Sequence, residues 1–346
     1  MKKTLKVTFG TMLAVSMVTP AYAQNFLGET DFLNNLSVFV EGNYTKPSNN
    51  GLSVGDLLVT PSAGGLDGWR RQVFLNPENE WDYALGFTYR YCGDSRLILR
   101  YDHYDASDDT TNIDIRNIGF APAPDTAGYA IVQENQHEWL LGLAHSLGFD
   151  QGFNLDLMAF LAQDKLDVSL QETQTQFVAN QGGGVFAHYH RTTENTMEGF
   201  GPGLGAMAQV YPFRCMQNWG FFAGGRTALL YARNSYQQSF YENNSVTPAF
   251  YVYDPEDSHS IVTKLDISFG LNYHCGFRHD LGGAMFDIAL GMRYMNMFNV
   301  LKNGNAAYNP PNGFAGIANF AANTGWPQDW GRFGPFLTFR FGGANA

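Results

Sequence analysis

The chain has 346 residues with 32 Asp or Glu and 21 Lys or Arg, and its net charge of -11 excludes the basic surface that nucleic-acid binding requires. Only 15% of the residues are charged, against a usual share of about 25%, whereas Gly (38), Phe (28) and Tyr (18) are abundant. The mean hydropathy of -0.23 excludes a helical membrane protein, because beyond the N-terminus no apolar segment reaches the length of a spanning helix.

The N-terminus predicts a secretory signal peptide over residues 1–23. Lys2, Lys3 and Lys6 precede the apolar run VTFGTMLAVSMV, and a small-residue cleavage pattern, AYAQ, follows. A membrane anchor is the alternative, but the run is shorter than the roughly 20 residues that a spanning helix needs. We therefore expect an exported chain that starts near Gln24 and forms one domain over 24–346.

Apolar and polar residues then alternate in segment after segment. In EWDYALGFTYRY, Trp81 and Tyr83 fall on one face and Asp82 and Ala84 on the other, and IVTKLDISFGLNYHC (261–275) alternates throughout. A period of two predicts extended strands with one apolar and one polar face. Ten such strands are predicted, at 36–45, 81–91, 96–105, 138–147, 153–163, 198–211, 219–231, 261–275, 286–294 and 332–341.

The links between these strands alternate between short and long. The short links lie at 92–95, 148–152, 213–218 and 275–283, and the long ones at 46–80, 106–137, 164–197, 232–260 and 295–331. This asymmetry is typical of outer-membrane barrels, whereas a soluble β-sandwich does not sort its turns by end. We predict an all-β, single closed antiparallel transmembrane β-barrel of about ten strands in the outer membrane of a Gram-negative bacterium. Its turns would be short on the periplasmic side and its extracellular loops long. Twelve strands result if a long link such as 164–197 hides a hairpin.

The polar face of the strands carries charges of both signs. These would either form ion-pair ladders that hold the wall together or line an aqueous path that selects solutes by charge, and both can hold at once. Ten or twelve strands leave at most a narrow pore, because eight are just filled by side chains and 16–18 leave an open channel. The predicted pore-lining residues are Glu41, Asp82, Arg90, Arg96, Arg100, Asp102, Asp156, Arg226, Lys264, Asp266, Asp287, Arg293, Arg332 and Arg340.

All three cysteines, Cys92, Cys215 and Cys275, fall in or beside short links. Because the periplasm is oxidising, a disulfide within the chain or to a neighbouring molecule is one interpretation, and three free thiols is the other.

No metal, cofactor or catalytic site is predicted. The HYHR segment at 188–191 has no nearby carboxylate or third histidine, and the acidic segments 105–114 and 253–258 lack the ligand spacing of a calcium loop. Those acidic segments could bridge to lipopolysaccharide through a divalent cation, but solvated turns fit them better. His103 with Asp102 or Asp105, and His137 with Glu138, could pair for catalysis, yet their spacing singles out neither. We expect no enzyme.

The strand segments resemble those of the Legionella-type major outer membrane protein family. The resembling stretches are WDYALGFTYRY, SRLILRYDHYD, GPGLGAMAQVYPF, DISFGLNYHC, DIALGMRYMNMF and GRFGPFLTFRFGG. The resemblance implies a pore-forming surface protein, with members that are cross-linked through cysteines, here Cys92, Cys215 and Cys275, or attach to host cells. The C-terminus departs from the usual aromatic ending, because GGANA follows Phe341.

The function predicted from the sequence is a porin-like barrel that passes small solutes weakly. The alternative is a structural or adhesive surface protein with a plugged lumen. The expected partners are outer-membrane lipid and lipopolysaccharide, a second copy or disulfide-linked neighbours, and a host-cell surface, with no nucleic acid among them.

Overall fold

The computed structural model describes residues 34–47, 52–58, 70–75, 80–111, 128–149, 152–180, 183–212, 218–244, 249–276, 285–301 and 329–343. The predicted signal peptide and Cys215 lie outside these residues. Within them, no helix has the length and hydropathy needed to cross a membrane. The regular elements are β1 (Leu36–Pro47), β2 (Leu52–Leu58), β3 (Arg70–Leu75), β4 (Glu80–Cys92), β5 (Ser95–Thr111), β6 (Gly128–Phe149), β7 (Phe153–Asn180), β8 (Gly183–Val210), β9 (Trp219–Asn244), β10 (Ala249–Gly276), β11 (Met285–Phe298) and β12 (Trp330–Gly342).

Ten of these strands form a closed antiparallel barrel. Each strand from β4 to β12 pairs with the next one in the chain, and β1 joins β12 to β4. Val40 of β1, for example, lies opposite Phe339 on one side and Leu85 on the other. Closure pairs the backbone groups that an open sheet edge would expose to lipid. The predicted ten-stranded barrel is therefore confirmed.

Two features differ from the sequence prediction. Strands β2 and β3, within the link predicted over 46–80, form a separate two-stranded sheet that is not part of the barrel. Most of the links predicted over 164–197 and 232–260 continue as strands β7 to β10, each of which has 26 or 28 residues. The pattern of membrane strands breaks down there because the outward side becomes polar, while the inward side carries apolar residues such as Leu166 and Val168.

An apolar band surrounds the barrel between two rows of aromatic side chains. The row at the end away from the short turns, which we call the outer aromatic row, includes Trp139 and Tyr231. The row at the short-turn end includes Phe149 and Trp219, and all four side chains are exposed on the face away from the lumen. Trp139 and Phe149 lie ten residues apart on β6. At about 3.3 Å per residue and a tilt of about 40°, this separation corresponds to roughly 25 Å along the barrel axis, the height of the apolar band of outer-membrane barrels.

The longest strands continue far beyond the outer aromatic row. On β7 the outward face changes from Leu161 to Gln163 and Lys165, and the strand ends only at Asn180. Seventeen further residues from Gln163 correspond to roughly 55 Å along the strand. The wall formed by β6 to β10 therefore extends outside the membrane as a sheet.

The short links keep the opposite end of the barrel compact. Gly93, between β4 and β5, has φ +50°, and Gly152, before β7, has φ +76°. Glycine adopts this left-handed conformation without the steric cost that a Cβ atom brings. These two glycines therefore allow the tight turns that the short links require.

Candidate functional site: the barrel interior

Arg293 of β11 lies at the centre of the barrel interior. Its Nη2 and Nε atoms donate to Asp266 of β10 at 2.6 and 3.0 Å, and its Nη1 donates to Glu41 of β1 at 2.9 Å and to Asp102 of β5 at 3.1 Å. Arg293 is only 6% exposed. One guanidinium thus connects three carboxylates from three other strands.

Two further arginines complete this arrangement. Arg100 donates to both oxygens of Glu41, at 2.7 and 3.3 Å, and to both oxygens of Asp102, at 2.7 and 2.9 Å. Arg226 of β9 donates to Asp266 at 2.7 Å, to Glu138 of β6 at 2.9 Å and to Asp102 at 3.3 Å. The Asp102 carboxylate, 2% exposed, therefore accepts from three arginines.

The ion pairs extend from β6 to β7 through Lys264 of β10. Its Nζ lies 3.0 Å from Glu138 and forms an ion pair with Asp164. Gln136 donates its amide to both oxygens of Asp164, at 2.9 and 3.0 Å. We call Glu41, Arg100, Asp102, Glu138, Asp164, Arg226, Lys264, Asp266 and Arg293 the central ion-pair network. Its four cations and five carboxylates nearly balance in charge, as burial of charges requires.

A second ion pair lies inside the barrel, on the side of this network away from the short turns. Arg332 of β12 pairs with Asp82 of β4, which also accepts from Thr45 at 2.8 Å. The guanidinium lies 4.9 Å from the centroid of the Tyr104 ring, a cation–π distance. Trp330 packs against Tyr104 at 5.6 Å and donates its indole N–H to Glu134 at 2.9 Å.

Apolar side chains fill the interior beyond these polar groups. They belong to one buried cluster, which we call the apolar cap. Most of its members lie on the side of the network away from the short turns, whereas Leu140, Phe160 and Ala162 lie on the short-turn side of Glu138 and Asp164. On β9 it begins after Arg226, and on β11 after Arg293. Its large members include Tyr104, Leu166, Val168, Leu170, Met197, Leu230, Val262, Met295, Met297 and Trp330.

Toward the short-turn end the interior is less densely charged. Arg96 and Ser146 both contact Asp156, and His274 contacts Asp287. The Arg340 guanidinium lies 6.0 Å from the centroid of the Phe39 ring. These groups are partly exposed, so solvent reaches this end of the barrel.

All fourteen predicted pore-lining residues occupy the inward positions of their strands, including Arg90, which shares its parity on β4 with Asp82. Several are buried in ion pairs, among them Glu41, Asp82, Asp102, Lys264, Asp266, Arg293 and Arg332. Their role in conduction stays a prediction. Sequence reasoning missed Asp164, because the predicted strand ended at residue 163, although the inward alternation continues through Leu166 and Val168.

Of the histidine–carboxylate pairs considered from the sequence, His103 with Asp102 and His137 with Glu138 do not form, whereas Asp105 shares the outward face of β5 with His103. Asp102 points into the barrel and His103 points outward, because successive residues of a strand face opposite sides. Glu138 and His137 are separated in the same way. Cys92 and Cys275 are free thiols, so a disulfide to Cys215 or to a neighbouring molecule stays a prediction. Across the described ranges, no group of three or more His, Cys, Asp or Glu side chains is placed to hold a metal ion.

A match to a family model agrees with this architecture. A family model described as "Legionella pneumophila major outer membrane protein precursor" matches residues 42–343. A search of curated proteins finds no match. The chain is similar to the outer-membrane protease OmpT of Escherichia coli at 8% identity, with 89% of this chain and 96% of that chain covered and a TM-score of 0.40.

Two further solved structures are similar at 8% identity. They are the translocator domain of the autotransporter NalP from Neisseria meningitidis, with 96% of both chains covered and a TM-score of 0.27, and a Pseudomonas aeruginosa FadL homologue, with 89% and 90% covered and a TM-score of 0.25. At this level of similarity, the activities of these proteins do not transfer to the chain.

Proposed function

This chain belongs to the Legionella pneumophila major outer membrane protein family and forms an outer-membrane β-barrel, and we propose that it is a structural, surface-presenting protein whose lumen is closed. The closed lumen separates it from a porin-like diffusion channel, the function first predicted from the sequence. The barrel would carry its long hairpins outside the membrane, where they meet other surfaces.

The proposal of a closed lumen rests on the contacts of Asp102. Three arginines from β5, β9 and β11 converge on its carboxylate, so groups from across the barrel meet in the middle of the interior. Ions or solutes would have to separate these pairs in order to pass, and each separated partner would be left as a buried, uncompensated charge. A selectivity ring, by contrast, keeps its charged groups in contact with water.

The apolar cap supports the same conclusion. Leu166, Leu170 and Leu230 are fully buried on the outer side of the network, where an open channel would be hydrated. They belong to β7 and β9 and to one buried apolar cluster, and apolar burial of this kind gives a rigid, dry interior. The cap therefore both closes the lumen and supports the strands that extend beyond the membrane.

Conductance of the refolded protein in planar lipid bilayers tests the closed lumen. Migration that changes on heating establishes that the sample is folded, and an open porin in the same bilayers serves as the positive control. We expect a folded protein without stable conductance steps. Stable steps with a defined reversal potential in a salt gradient would overturn the proposal in favour of the porin-like function.

A hairpin deletion tests surface presentation. Gln171 and Thr192 lie opposite each other on β7 and β8, so removing residues 172–191 and inserting a two-residue turn shortens the hairpin without changing the barrel below it. We expect cells with the shortened protein to attach to host cells several-fold less well, with the same amount of folded barrel in the membrane. Equal attachment would contradict a role of this hairpin.

A further inference from the structure

Two histidines lie directly opposite each other on the outer surface of the barrel. His103 of β5 and His137 of β6 are cross-strand partners, immediately beyond the Tyr101 and Trp139 pair of the outer aromatic row. Their Nδ1 atoms are 3.2 Å apart, and the ring centroids are separated by 4.7 Å. The pair therefore lies where β5 and β6 leave the apolar band.

The hydrogen bonds of this pair compete for one atom. The Tyr101 hydroxyl lies 2.7 Å from the same Nδ1 of His137 that contacts His103. A neutral imidazole nitrogen offers either one N–H or one lone pair. Whichever nitrogen carries the proton, the Tyr101 hydroxyl and His103 Nδ1 must share the single N–H or lone pair of His137 Nδ1, or one of them must go without it.

A metal ion would satisfy both nitrogens at once. Imidazole nitrogens bind Zn²⁺ at about 2.0–2.1 Å, so two that share one ion lie about 2.8–3.4 Å apart when the angle at the metal is between square-planar and tetrahedral. The observed 3.2 Å falls within this range. We propose that His103 and His137 together bind one divalent transition-metal ion, of which Cu²⁺ and Zn²⁺ favour imidazole most.

Neighbouring aromatic rings hold the two histidines in this geometry. Tyr83 packs against His103 at 5.1 Å, and Tyr101 packs against Trp139 at 4.7 Å and against His137 at 6.1 Å. Such packing fixes ligand rings before the metal arrives. In the described part of the chain no third His, Cys, Asp or Glu joins the pair at metal-binding spacing, so water completes the coordination and leaves it open on the outer side.

The metal would link two strands at the membrane boundary. Because it binds the folded sheet and not the separated strands, its binding stabilises the pairing of β5 with β6. This site is independent of the closed lumen, since both histidines face outward. It neither requires nor tests the proposed function of the interior.

His259 provides a matched control. The two histidines belong to an outward row of cross-strand neighbours, and His259 of β10 lies at the other end of that row. It stacks on Tyr231 at 5.4 Å, but the residue opposite it is Arg233 and not a second histidine. The row consists of His103, His137, Lys165, Glu198, Arg233 and His259.

The experiment is a Cu²⁺ titration followed by electron paramagnetic resonance, with Zn²⁺ calorimetry alongside. The full-length protein is refolded without an affinity tag in an uncharged detergent, with its thiols alkylated so that cysteine ligands are blocked. We expect one saturable equivalent with two nitrogen ligands at pH 7.5. At pH 5 the binding should weaken, because protonated imidazole has no lone pair to donate.

Histidine variants test whether His103 and His137 are the metal ligands. His103→Ala and His137→Ala should each lower the affinity at least tenfold and remove one nitrogen from the spectrum, whereas His259→Ala should bind as the parent does. His137→Asn replaces His137→Ala if that variant loses its heat-modifiable migration. Absence of saturable binding in the parent, or equal binding by His103→Ala, would overturn the proposal.

Discussion

Arg293 and Asp266 form a two-point ion pair between β11 and β10, with Nη2–Oδ2 at 2.6 Å and Nε–Oδ1 at 3.0 Å. Both side chains are almost fully buried, and both belong to the central ion-pair network. The pair joins neighbouring strands, while its other contacts reach across the lumen. The network therefore connects strands on opposite sides of the barrel, in addition to closing the lumen as proposed above.

Replacing Arg293 by Met should destabilise the barrel strongly. The change leaves the carboxylates of Glu41, Asp102 and Asp266 with fewer cations in a buried site, and breaking a buried pair in this way costs about 3–5 kcal/mol. We expect the free energy of unfolding to fall by that amount in urea titrations of the protein in lipid vesicles.

Lys165→Met is the matched control for that loss. Lys165 pairs with Asp167 at 2.9 Å on the outer surface, where the two side chains are 47% and 39% exposed. An exposed pair of this kind contributes less than about 1 kcal/mol. Equal losses in the two variants would contradict the structural role of the interior network.

Gly86 makes room for the Phe39 ring beneath the network. A Cβ atom at position 86 would lie 2.6 Å from two ring carbons of Phe39 and closer still to the backbone carbonyl oxygen of Leu99. The same ring lies 5.4 Å from the Arg100 guanidinium, so it cannot move without disturbing the network. Gly86→Ala should therefore cost about 1–3 kcal/mol of unfolding free energy through overpacking.

Gly148→Ala is the control for this substitution. Its Cβ atom would meet nothing closer than the Asn154 side-chain oxygen at 3.8 Å. Removal of a glycine then leaves stability unchanged or raises it by about 0.4–1 kcal/mol, because the unfolded chain loses freedom. A comparable loss in both variants would show that crowding against Phe39 and the Leu99 backbone is not the cause.

The apolar band predicts that a charged side chain on the lipid-facing surface lowers the free energy of unfolding by an amount that depends on its depth in the membrane. Leu143 lies near the middle of the band on β6 and is exposed on the outside of the barrel. An arginine at this depth costs about 2–4 kcal/mol, because the lipid interior does not solvate it. Leu143→Arg should lower the unfolding free energy in vesicles by this amount.

Gln133→Arg tests the same strand outside the band. Gln133 also faces outward on β6, but it lies beyond the aromatic row that includes Trp139. The expected change is near zero. If Gln133→Arg were as costly as Leu143→Arg, the boundary drawn at Trp139 would be wrong.

The barrel wall could be predicted from the sequence because a single physical rule determines it. Each strand that crosses lipid must alternate, and Trp81 to Tyr91 or Ile261 to Tyr273 do so without interruption. The rule fails outside the membrane, where the outward face of β7 carries Lys165 and Asp167 and the apolar residues turn inward. That reversal explains why the sequence pattern does not predict the extensions of β7 to β10 as strands.

The contacts between interior side chains could not be predicted from the sequence. Parity placed Glu41, Arg100 and Arg293 on the inner face, but it could not show that they meet, since residues 41 and 293 come together only through the register of the closed barrel. The facing of His103 and His137 depends on register in the same way. Pairing of distant strands is therefore the information that periodicity lacks.

Cysteine labelling on intact cells tests the orientation of the barrel. Glu194 is exposed on the outer extension of β8, and Asp94 is exposed in the short turn between β4 and β5. In a background with Cys92, Cys215 and Cys275 replaced by Ser, Glu194→Cys should react with a membrane-impermeant maleimide on whole cells. Asp94→Cys should react only after the outer membrane is opened, because its turn lies on the periplasmic side. The reverse pattern would place the long hairpins in the periplasm and remove the basis for surface presentation.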